Sequence, residues 1–200
     1  MSGKPAKSDT TYLAAVDQDG NIASLIQSNY DYFGSGVVVD GMGLALQNRG
    51  ALFVPDANDP DALAPRKRPF HTIIPAFMEH GDIHIGFRIV GGSNQPLAHP
   101  QFVSNIVDYD MNIQEALEAP RFTIPDTGTR AIGCRILVES RIPSDVWQQL
   151  REKGHQLKVP QEYSTAMGRG QAVLRDSRGR VNFGASDPRA DGSAEPEPAP

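Results

Sequence analysis

The pattern of apolar and polar residues near the start of the chain predicts a β-hairpin. Residues Thr11–Val16 and Ile22–Gln27 are rich in apolar and β-branched side chains, which favours two strands. Between them lies Asp19-Gly20, a residue pair typical of a tight turn between antiparallel strands. Because the second strand runs back along the first, we expect Ser28 to lie near Thr10.

Further strands are predicted downstream. Two more hairpins are expected, one pairing residues 72–78 with 83–90 and the other pairing 171–175 with 181–183. Two single strands are expected at 37–39 and 136–139. The segment 37–39 consists of three valines, and a continuous β-branched run is typical of a buried strand. We therefore expect these valines to be covered.

Apolar side chains at helical spacing predict a few helices between the strands. Apolar side chains within residues 102–107 recur at helical spacing and form a stripe that should face a sheet. Asn112 and Glu115 have the spacing of a capping pair for a short helix. Ser144 is expected to cap a third helix, which should end at Gly154. Hairpins combined with a few amphipathic helices predict the α+β class.

Both ends of the chain and one internal segment lack such periodicity. Residues 1–9 and 192–200 are poor in apolar side chains, so we expect a flexible leader and a disordered tail around one domain at 10–191. Residues 55–69 carry four prolines and several charged side chains. They predict a long surface loop, and loops of this length are often functional.

Composition narrows the possible functions. At 200 residues the chain is long enough for one domain with a real core. No apolar run approaches the ~20 residues that span a bilayer, so we expect no membrane partner. The net charge of -5 argues against a nucleic-acid partner, because phosphate binding requires clustered Lys and Arg. The basic residues 66–68 are expected in a solvated or substrate-side loop.

The cysteine content and the first residues bear on the cellular compartment. The single cysteine, Cys134, has no partner in the chain for a disulfide and is expected to be a buried small residue. The first eight residues lack the apolar stretch of a secretory signal, which favours the cytoplasm. The alternative is that the chain is one subunit of a longer precursor whose own start lies elsewhere.

A tandem of threonines, Thr10-Thr11, opens the first predicted strand. A threonine hydroxyl becomes an effective nucleophile when a base lies beside it, and the residue's own α-amine can be that base once the preceding peptide bond is cut. The alternative is that both threonines merely begin a strand, where this residue type is common. For Thr11, a place in the strand and a role as a catalytic helper are both open.

Several motifs follow the tandem in a specific order. They are Phe33-Gly34-Ser35-Gly36, Leu46-Gln47-Asn48-Arg49-Gly50, Arg68-Pro69 ahead of His71-Thr72, and Gly91-Gly92. Together with the threonines they resemble the small subunit of the gamma-glutamyltranspeptidase family of N-terminal-nucleophile hydrolases. The resemblance covers roughly residues 9–191. It implies that the α+β fold is the small-subunit part of an αββα sandwich.

The resemblance also implies a reaction that needs no cofactor. The precursor is expected to cut itself at Asp9-Thr10, after which Thr10 accepts an acyl group from a small γ-glutamyl or other acyl-amide substrate and passes it to water or an amine. Gly91 and Gly92 match the oxyanion hole, where a bare backbone lets N–H groups approach a developing negative charge. A simple tight turn is the alternative for this glycine pair.

Six further positions match the substrate side of the family's site. They are Ser28, Tyr30, Asn48, Arg49, His71 and Thr72. Ser28 matches a threonine whose hydroxyl contacts the nucleophile, and the replacement keeps a hydroxyl. Asn48 can equally be a turn asparagine.

This chain departs from the family's residues for a glutamyl α-amine. Leu52 stands where an aspartate would pair with the ammonium group, and a leucine accepts no hydrogen bond. Arg49 can instead bind a carboxylate with its planar fork of N–H donors. That would suit a glutaryl-like acyl group and is similar to the transpeptidase-like acylases. The alternative for Arg49 is a surface ion pair.

The histidines do not predict a metal site. Only His80 and His84, of five histidines, are close in sequence, and they flank a predicted turn. We expect His71 to line the pocket without acting as an acid or base, because the N-terminal amine takes that part.

Three hypotheses follow from the sequence. The first is an N-terminal-nucleophile amide hydrolase or acyltransferase. The second is a catalytically silent fragment, because the family's large subunit is not within this chain. The third is a partner-binding subunit that functions only with a separate large subunit. Exposed strand edges and apolar faces should then favour association.

Overall fold

The computed structural model describes residues 10–124 and 135–197, with residue 93 described by its backbone alone. These residues form two compact units. The first holds residues 10–11 and 26–73, and the second holds residues 12–25, 74–124 and 135–197. The expectations for the leader at 1–9 and for Cys134 lie outside the described residues. The predicted bounds of the domain and its tail stay predictions.

The predicted N-terminal hairpin is present. Strands β1 (Thr11–Val16) and β2 (Ile22–Gln27) pair with each other. In the turn between them, Asp17 N–H donates to the carbonyl of Asn21 at 3.1 Å, and the Asp17 carboxylate accepts from both Asn21 nitrogens. Gly20 has φ of 89°, a conformation that glycine adopts without strain.

The rest of the first unit has little regular structure. Strands β3 (Val38–Val39) and β4 (Leu44–Ala45) form a small antiparallel sheet, and Arg49–Leu52 form a 3-10 helix. The prediction that residues 37–39 are buried is wrong, because Val37 and Val38 are 55% and 63% exposed. Val38 lies in β3 and Val37 directly precedes it, and a hairpin with two residues in each strand is too small to cover either of its faces.

The predicted loop at 55–69 is confirmed. A single bridge between Val54 and Ala62 is its only strand-like pairing among the described residues. Lys67 Nζ donates to the carbonyls of Pro60 and Ala62, the latter at 3.0 Å. Lys67 therefore stabilises the main chain of the loop. The neighbouring Arg66 and Arg68 are exposed.

The second unit contains seven further strands. They are β5 (Ala76–His80), β6 (Ile83–Val90), β7 (Phe122–Thr123), β8 (Arg135–Val138), β9 (Gln156–Lys158), β10 (Arg169–Asp176) and β11 (Val181–Ser186). Four of them form an antiparallel sheet in the order β11-β10-β6-β5. A smaller sheet has β8 at its centre, antiparallel to β7 and parallel to β9.

Three helices complete the second unit: α1 (Gln95–Val107), α2 (Ile113–Glu118) and α3 (Ser144–Glu152). The core joins α1 and α2 to the larger sheet through buried residues such as Phe87, Phe102 and Leu117. The predicted capping pair of Asn112 and Glu115 is a complete capping box. None of the helices in the described residues has the length and apolar character needed to cross a membrane.

The prediction that Ser144 caps the third helix is wrong. Pro143 is the N-cap residue, Ser144 is the first helical residue, and no side chain makes a capping hydrogen bond there. A proline fixes the backbone before the helix, so the boundary is one residue earlier than the serine suggests.

The N-terminal hairpin packs on the larger sheet at one glycine. A Cβ on Gly86 of β6 would lie 2.7 Å from Ile22 Cγ2 and 3.8 Å from Ser24 Cβ. Next to this contact, the Tyr12 hydroxyl and Ser24 Oγ lie 2.7 Å apart. Strand β2 therefore approaches β6 more closely than any side chain on Gly86 would allow.

A buried network of charged groups connects distant segments of the second unit. Arg189 donates to both oxygens of Glu139, and Arg121 Nη2 lies 2.8 Å from Asp187 Oδ2. All four side chains are at least 99% buried. Burial opposes ionisation of Glu139, but the hydrogen bonds and charges of the arginines hold its pKa below the ordinary value.

The segment after β11 lies against the larger sheet. A Cβ on Gly184 would be 3.0 Å from Ala194 Cβ. Residues 192–195 line a cavity of about 230 Å³ together with residues of β1, β10 and β11. This segment has no regular secondary structure.

Candidate active site

Thr10 lies at the open end of the N-terminal hairpin. Its hydroxyl donates to Ser28 Oγ at 2.9 Å, and Ser28 is the residue that directly follows β2. This is the proximity that the antiparallel return of the chain predicts. Two hydroxyl groups are thus in direct contact at the position of the proposed nucleophile.

Arg49 lies next to this hydroxyl pair. The side chain is buried, and Nη2 donates to Ser28 Oγ at 3.3 Å while Nη1 donates to Thr72 Oγ1 at 2.7 Å. The guanidinium carbon lies 4.8 Å from the centre of the Tyr30 ring, within the range of a cation–π contact. Arg49 is therefore held on three sides, and the alternative of a surface ion pair is wrong because the residue is not at the surface.

The Tyr30 backbone is in an unusual conformation. Its φ is 79°, in the left-handed region that few residues other than glycine adopt, and its N–H donates to Ser28 Oγ at 2.9 Å. Strained backbone of this kind is often found at functional sites, where surrounding contacts stabilise it. Here the conformation places the ring under Arg49 and the N–H on Ser28.

Asn48 supports the backbone of this site. Its Oδ1 accepts from Asp31 N–H at 3.1 Å, and its own N–H donates to the carbonyl of Asn29 at 3.1 Å. These contacts fix the turn that contains Tyr30. They favour the alternative of a turn asparagine, and a direct contact with substrate stays a prediction.

His71 lies next to Thr72 in the first unit. Its side chain is exposed, and Nδ1 accepts from Ile73 N–H at 3.3 Å. Partial burial, followed by the charges of Arg49 and Arg68, lowers the pKa of His71. The lowered pKa favours the neutral form of the ring, which can accept or donate a hydrogen bond without carrying charge.

The Gly91-Gly92 pair forms the exposed turn between β6 and α1. The φ angles are 153° and 57°, both in regions that favour glycine. Gly91 accepts a hydrogen bond from Asn94 N–H at 3.0 Å. This turn belongs to the second unit and Thr10 belongs to the first, so their cooperation stays a prediction.

Two features of these sites are not visible in the sequence pattern. The pattern does not single out Asn94, although an amide two residues after a glycine pair could have drawn attention to it. It also gives no sign that Thr72 would contact Arg49, since a long loop separates them. Within the described ranges, no group of three or more His, Cys, Asp and Glu side chains could hold a metal ion.

Comparison with known proteins identifies the family. The gamma-glutamyltranspeptidase family model matches residues 1–197. This chain belongs to the gamma-glutamyltranspeptidase family. The resemblance carried by the threonine tandem and the glycine motifs is thereby confirmed.

Relatives within the gamma-glutamyltranspeptidase family have several names. The chain is 40% identical to the glutathione hydrolase-like YwrD proenzyme of Bacillus subtilis, over 96% of this chain and 36% of the relative. It is 35% identical to the oxamate amidohydrolase proenzyme of Klebsiella pneumoniae, with the same two coverages. The chain thus spans about a third of the length of these curated relatives.

Solved structures of the family share the fold. A cephalosporin acylase from Bacillus halodurans matches with a TM-score of 0.80 and 45% identity, over 91% of this chain and 33% of that one. A gamma-glutamyltranspeptidase chain from Pseudomonas nitroreducens matches with a TM-score of 0.72 and 26% identity, over 92% of this chain and 98% of that one. The predicted N-terminal-nucleophile hydrolase fold, in the α+β class, is therefore confirmed.

Proposed function

We propose that this chain is the nucleophile-bearing part of an N-terminal-threonine amidohydrolase or acyltransferase. The observation that carries the proposal is the chain of contacts from Thr10 through Ser28 to Arg49. It joins a candidate nucleophile, a neighbouring hydroxyl and a buried cation at one point. Family membership supports the same reaction class.

The reaction begins once cleavage at Asp9-Thr10 frees the α-amine of Thr10. The amine takes the proton from Oγ1 as the oxygen attacks the substrate's amide carbon, giving a tetrahedral intermediate. Its oxyanion is stabilised by the N–H groups of Gly91 and Gly92. The protonated amine then donates to the departing nitrogen, leaving an ester on Thr10.

The second half of the reaction releases the acyl group. The α-amine, neutral again, removes a proton from water or from an acceptor amine as that nucleophile attacks the ester. The ester bond to Oγ1 breaks, and the proton returns to Thr10. Water gives a free acid, whereas an amine gives a new amide.

Arg49 supports an acyl group that carries its own carboxylate, such as a γ-glutamyl or glutaryl-like group. A guanidinium is permanently charged and matches a carboxylate in shape. The hydrogen bonds of 2.9 and 3.3 Å through Ser28 limit the distance between Thr10 Oγ1 and Arg49 Nη2 to about 6 Å. One relative is named for oxamate, an amide with a carboxylate next to the amide carbon. We therefore favour an acid amide as the donor.

A large subunit is the proposed partner. The curated relatives are about three times as long as this chain. In the second unit, Leu13 and Leu25 are 48% and 54% exposed on one face of the N-terminal hairpin. Apolar side chains exposed on a sheet are typical of a surface that another chain covers. Without that partner, the chain would be a silent fragment.

Thr10→Ala tests the proposed nucleophile. The chain is produced alone and with a family large subunit, and both forms are examined by intact mass and by hydrolysis of oxamate, glutaryl and γ-glutamyl amides. We expect the unaltered chain to lose residues 1–9 in the active form. Thr10→Ala should stay uncut and lose activity by at least about a thousand-fold, because the attacking oxygen is absent.

Thr11→Ala is the matched control. It alters the adjacent threonine of the same strand and should leave both cleavage and hydrolysis within about two-fold of the unaltered chain. Hydrolysis that survives Thr10→Ala would exclude Thr10 as the nucleophile. An uncut, inactive chain in the presence of the large subunit would favour the silent-fragment alternative.

A further inference from the structure

Asn94 is placed directly behind the turn that forms the proposed oxyanion hole. It is the N-cap residue of α1, and its N–H donates to the Gly91 carbonyl at 3.0 Å. Only 7% of the residue is exposed. Its side chain is therefore packed inside the second unit rather than directed to solvent.

The Asn94 side chain lies between two glycines. A Cβ on Gly91 would lie 3.3 Å from both Asn94 Cβ and Asn94 Nδ2, and a Cβ on Gly168 would lie 3.2 Å from the same Nδ2. Gly168 has φ of 80°, and a Cβ there would also lie 2.3 Å from the Val90 carbonyl oxygen. The amide thus fills a space that exists because both neighbours lack a side chain.

Hydrogen bonding does not explain this placement. Neither Oδ1 nor Nδ2 of Asn94 has a hydrogen-bond partner among the residues that the structure describes, and both atoms are buried. Burying an amide without partners lowers stability. The contribution of this side chain is therefore its volume and rigid shape beside Gly91.

The glycine turn has no side chains of its own to fix its conformation. Glycine populates positive and negative φ about equally, so the conformation of Gly91 and Gly92 depends on neighbouring contacts, one of which is Gln95 Nε2 donating to the Gly92 carbonyl at 3.0 Å. A small misplacement of catalytic groups can reduce a rate about a hundred-fold. A rigid neighbour packed on Gly91 would limit that freedom.

We propose that Asn94 is a positioning residue, which acts through Gly91 to hold the Gly91-Gly92 turn in the conformation that binds the oxyanion. This inference rests on the proposed function for its effect on catalysis. Its effect on the turn itself is independent of any activity.

Asn94→Ala is the test. It removes the amide but keeps the backbone hydrogen bond to Gly91. Because it removes an unpaired polar group as well as packing, we expect the melting temperature to stay within about 3 °C. We expect kcat to fall about ten- to a hundred-fold with KM within about two-fold. Amide hydrogen exchange at residue 94, which reports opening of the turn, should be about ten-fold faster.

Asn105→Ala is the matched control on the same helix. Asn105 Nδ2 donates to the Ala116 carbonyl at 3.3 Å, so its amide is used to join α1 to α2. We expect this variant to lower the melting temperature while leaving kcat and exchange at residue 94 unchanged. Asn94→Ala should thus lower kcat with little change in melting temperature, whereas Asn105→Ala should lower the melting temperature with little change in kcat.

The outcomes separate this inference from the proposed function. Unchanged kcat and unchanged exchange in Asn94→Ala would overturn the positioning role, whatever the reaction is. Faster exchange in a protein without Thr10-dependent hydrolysis would support the role in the turn and count against the proposed function instead. A large loss of melting temperature with normal kcat would assign Asn94 to packing alone.

Discussion

Arg49 is the residue that most distinguishes the chemistry of this site. Its buried guanidinium contacts Ser28, Thr72 and the Tyr30 ring within the first unit. Ser28 and Thr72 contact the guanidinium through hydroxyl groups, which orient the side chain. The proposed donor, an amide that carries a negative charge close to its scissile bond, follows from this positive charge near Thr10.

Arg49→Gln tests this electrostatic selection. We expect kcat/KM for a donor with a free carboxylate to fall about ten- to a hundred-fold, because a charge-assisted hydrogen bond is lost. The same donor as its methyl ester should react at nearly the same rate with both proteins. Steady-state kinetics on the two donors provide the measurement. Equal losses on acid and ester would contradict a role in binding the carboxylate.

At the residue scale, sequence could predict the contacts that the hairpin geometry dictates. The proximity of Thr10 and Ser28 follows from two strands of equal length around a short turn. The contact of Arg49 with Thr72 does not follow in this way. It depends on the path of the loop at 55–69, which has no periodicity from which its course can be inferred.

At the scale of elements, the N-terminal hairpin depends on a single small residue of its neighbour. Ile22 of β2 packs against Gly86 of β6, at a distance that leaves no room for a methyl group. The hairpin also carries Thr10 at its beginning. The packing of Ile22 on Gly86 is therefore relevant to stability.

Gly86→Ala is expected to lower the free energy of unfolding by about 1–3 kcal/mol, because overpacking forces the strands apart. Urea denaturation gives the value. Gly50→Ala is the control, since a Cβ at Gly50 would meet nothing within 4 Å. A Gly86 variant as stable as the unaltered chain would mean that β2 can shift on the sheet without loss.

Sequence predicted long elements better than short ones. The hairpins β1-β2, β5-β6 and β10-β11 and the capping box of α2 were expected and are present. Strands β7 and β9 were not expected, because two or three residues carry too little periodicity to be recognised. The exposure of Val38 likewise depends on the surroundings of a strand, which its own residue types do not reveal.

At the scale of the molecule, the buried network of charges joins parts of the second unit that are far apart in sequence. Glu139 accepts from Arg121 N–H, Ser164 N–H and the Arg189 guanidinium. One carboxylate therefore connects the end of α2, the segment before β10 and the segment after β11. Buried charges of this kind stabilise only while every partner is present.

Glu139→Gln should lower the free energy of unfolding at pH 7 by roughly 3 kcal/mol, because it removes one of the two buried carboxylates that pair with Arg189 and leaves Asp187 as the other. The unaltered chain should also lose stability on acidification. Since the pKa of Glu139 is lower in the folded state, the unfolded state binds more protons as the pH falls below about 4.5. The variant should lose less stability over that interval. Denaturation at pH 7 and pH 4 measures both effects.

Glu162→Gln provides the control, because Glu162 is an exposed carboxylate. It should leave stability unchanged at both pH values within about 0.5 kcal/mol. A Glu139 variant that behaves like the Glu162 variant would show that the network contributes nothing measurable.

The contact between Ala194 and Gly184 has a practical consequence for anyone who handles the protein. A purification tag or fluorophore joined at residue 192 would compete with the chain's own residues for the surface of β11. A tag attached after residue 197 would leave residues 192–195 in place against β11. The choice of fusion point thus determines whether a labelled sample retains the native face of its main sheet.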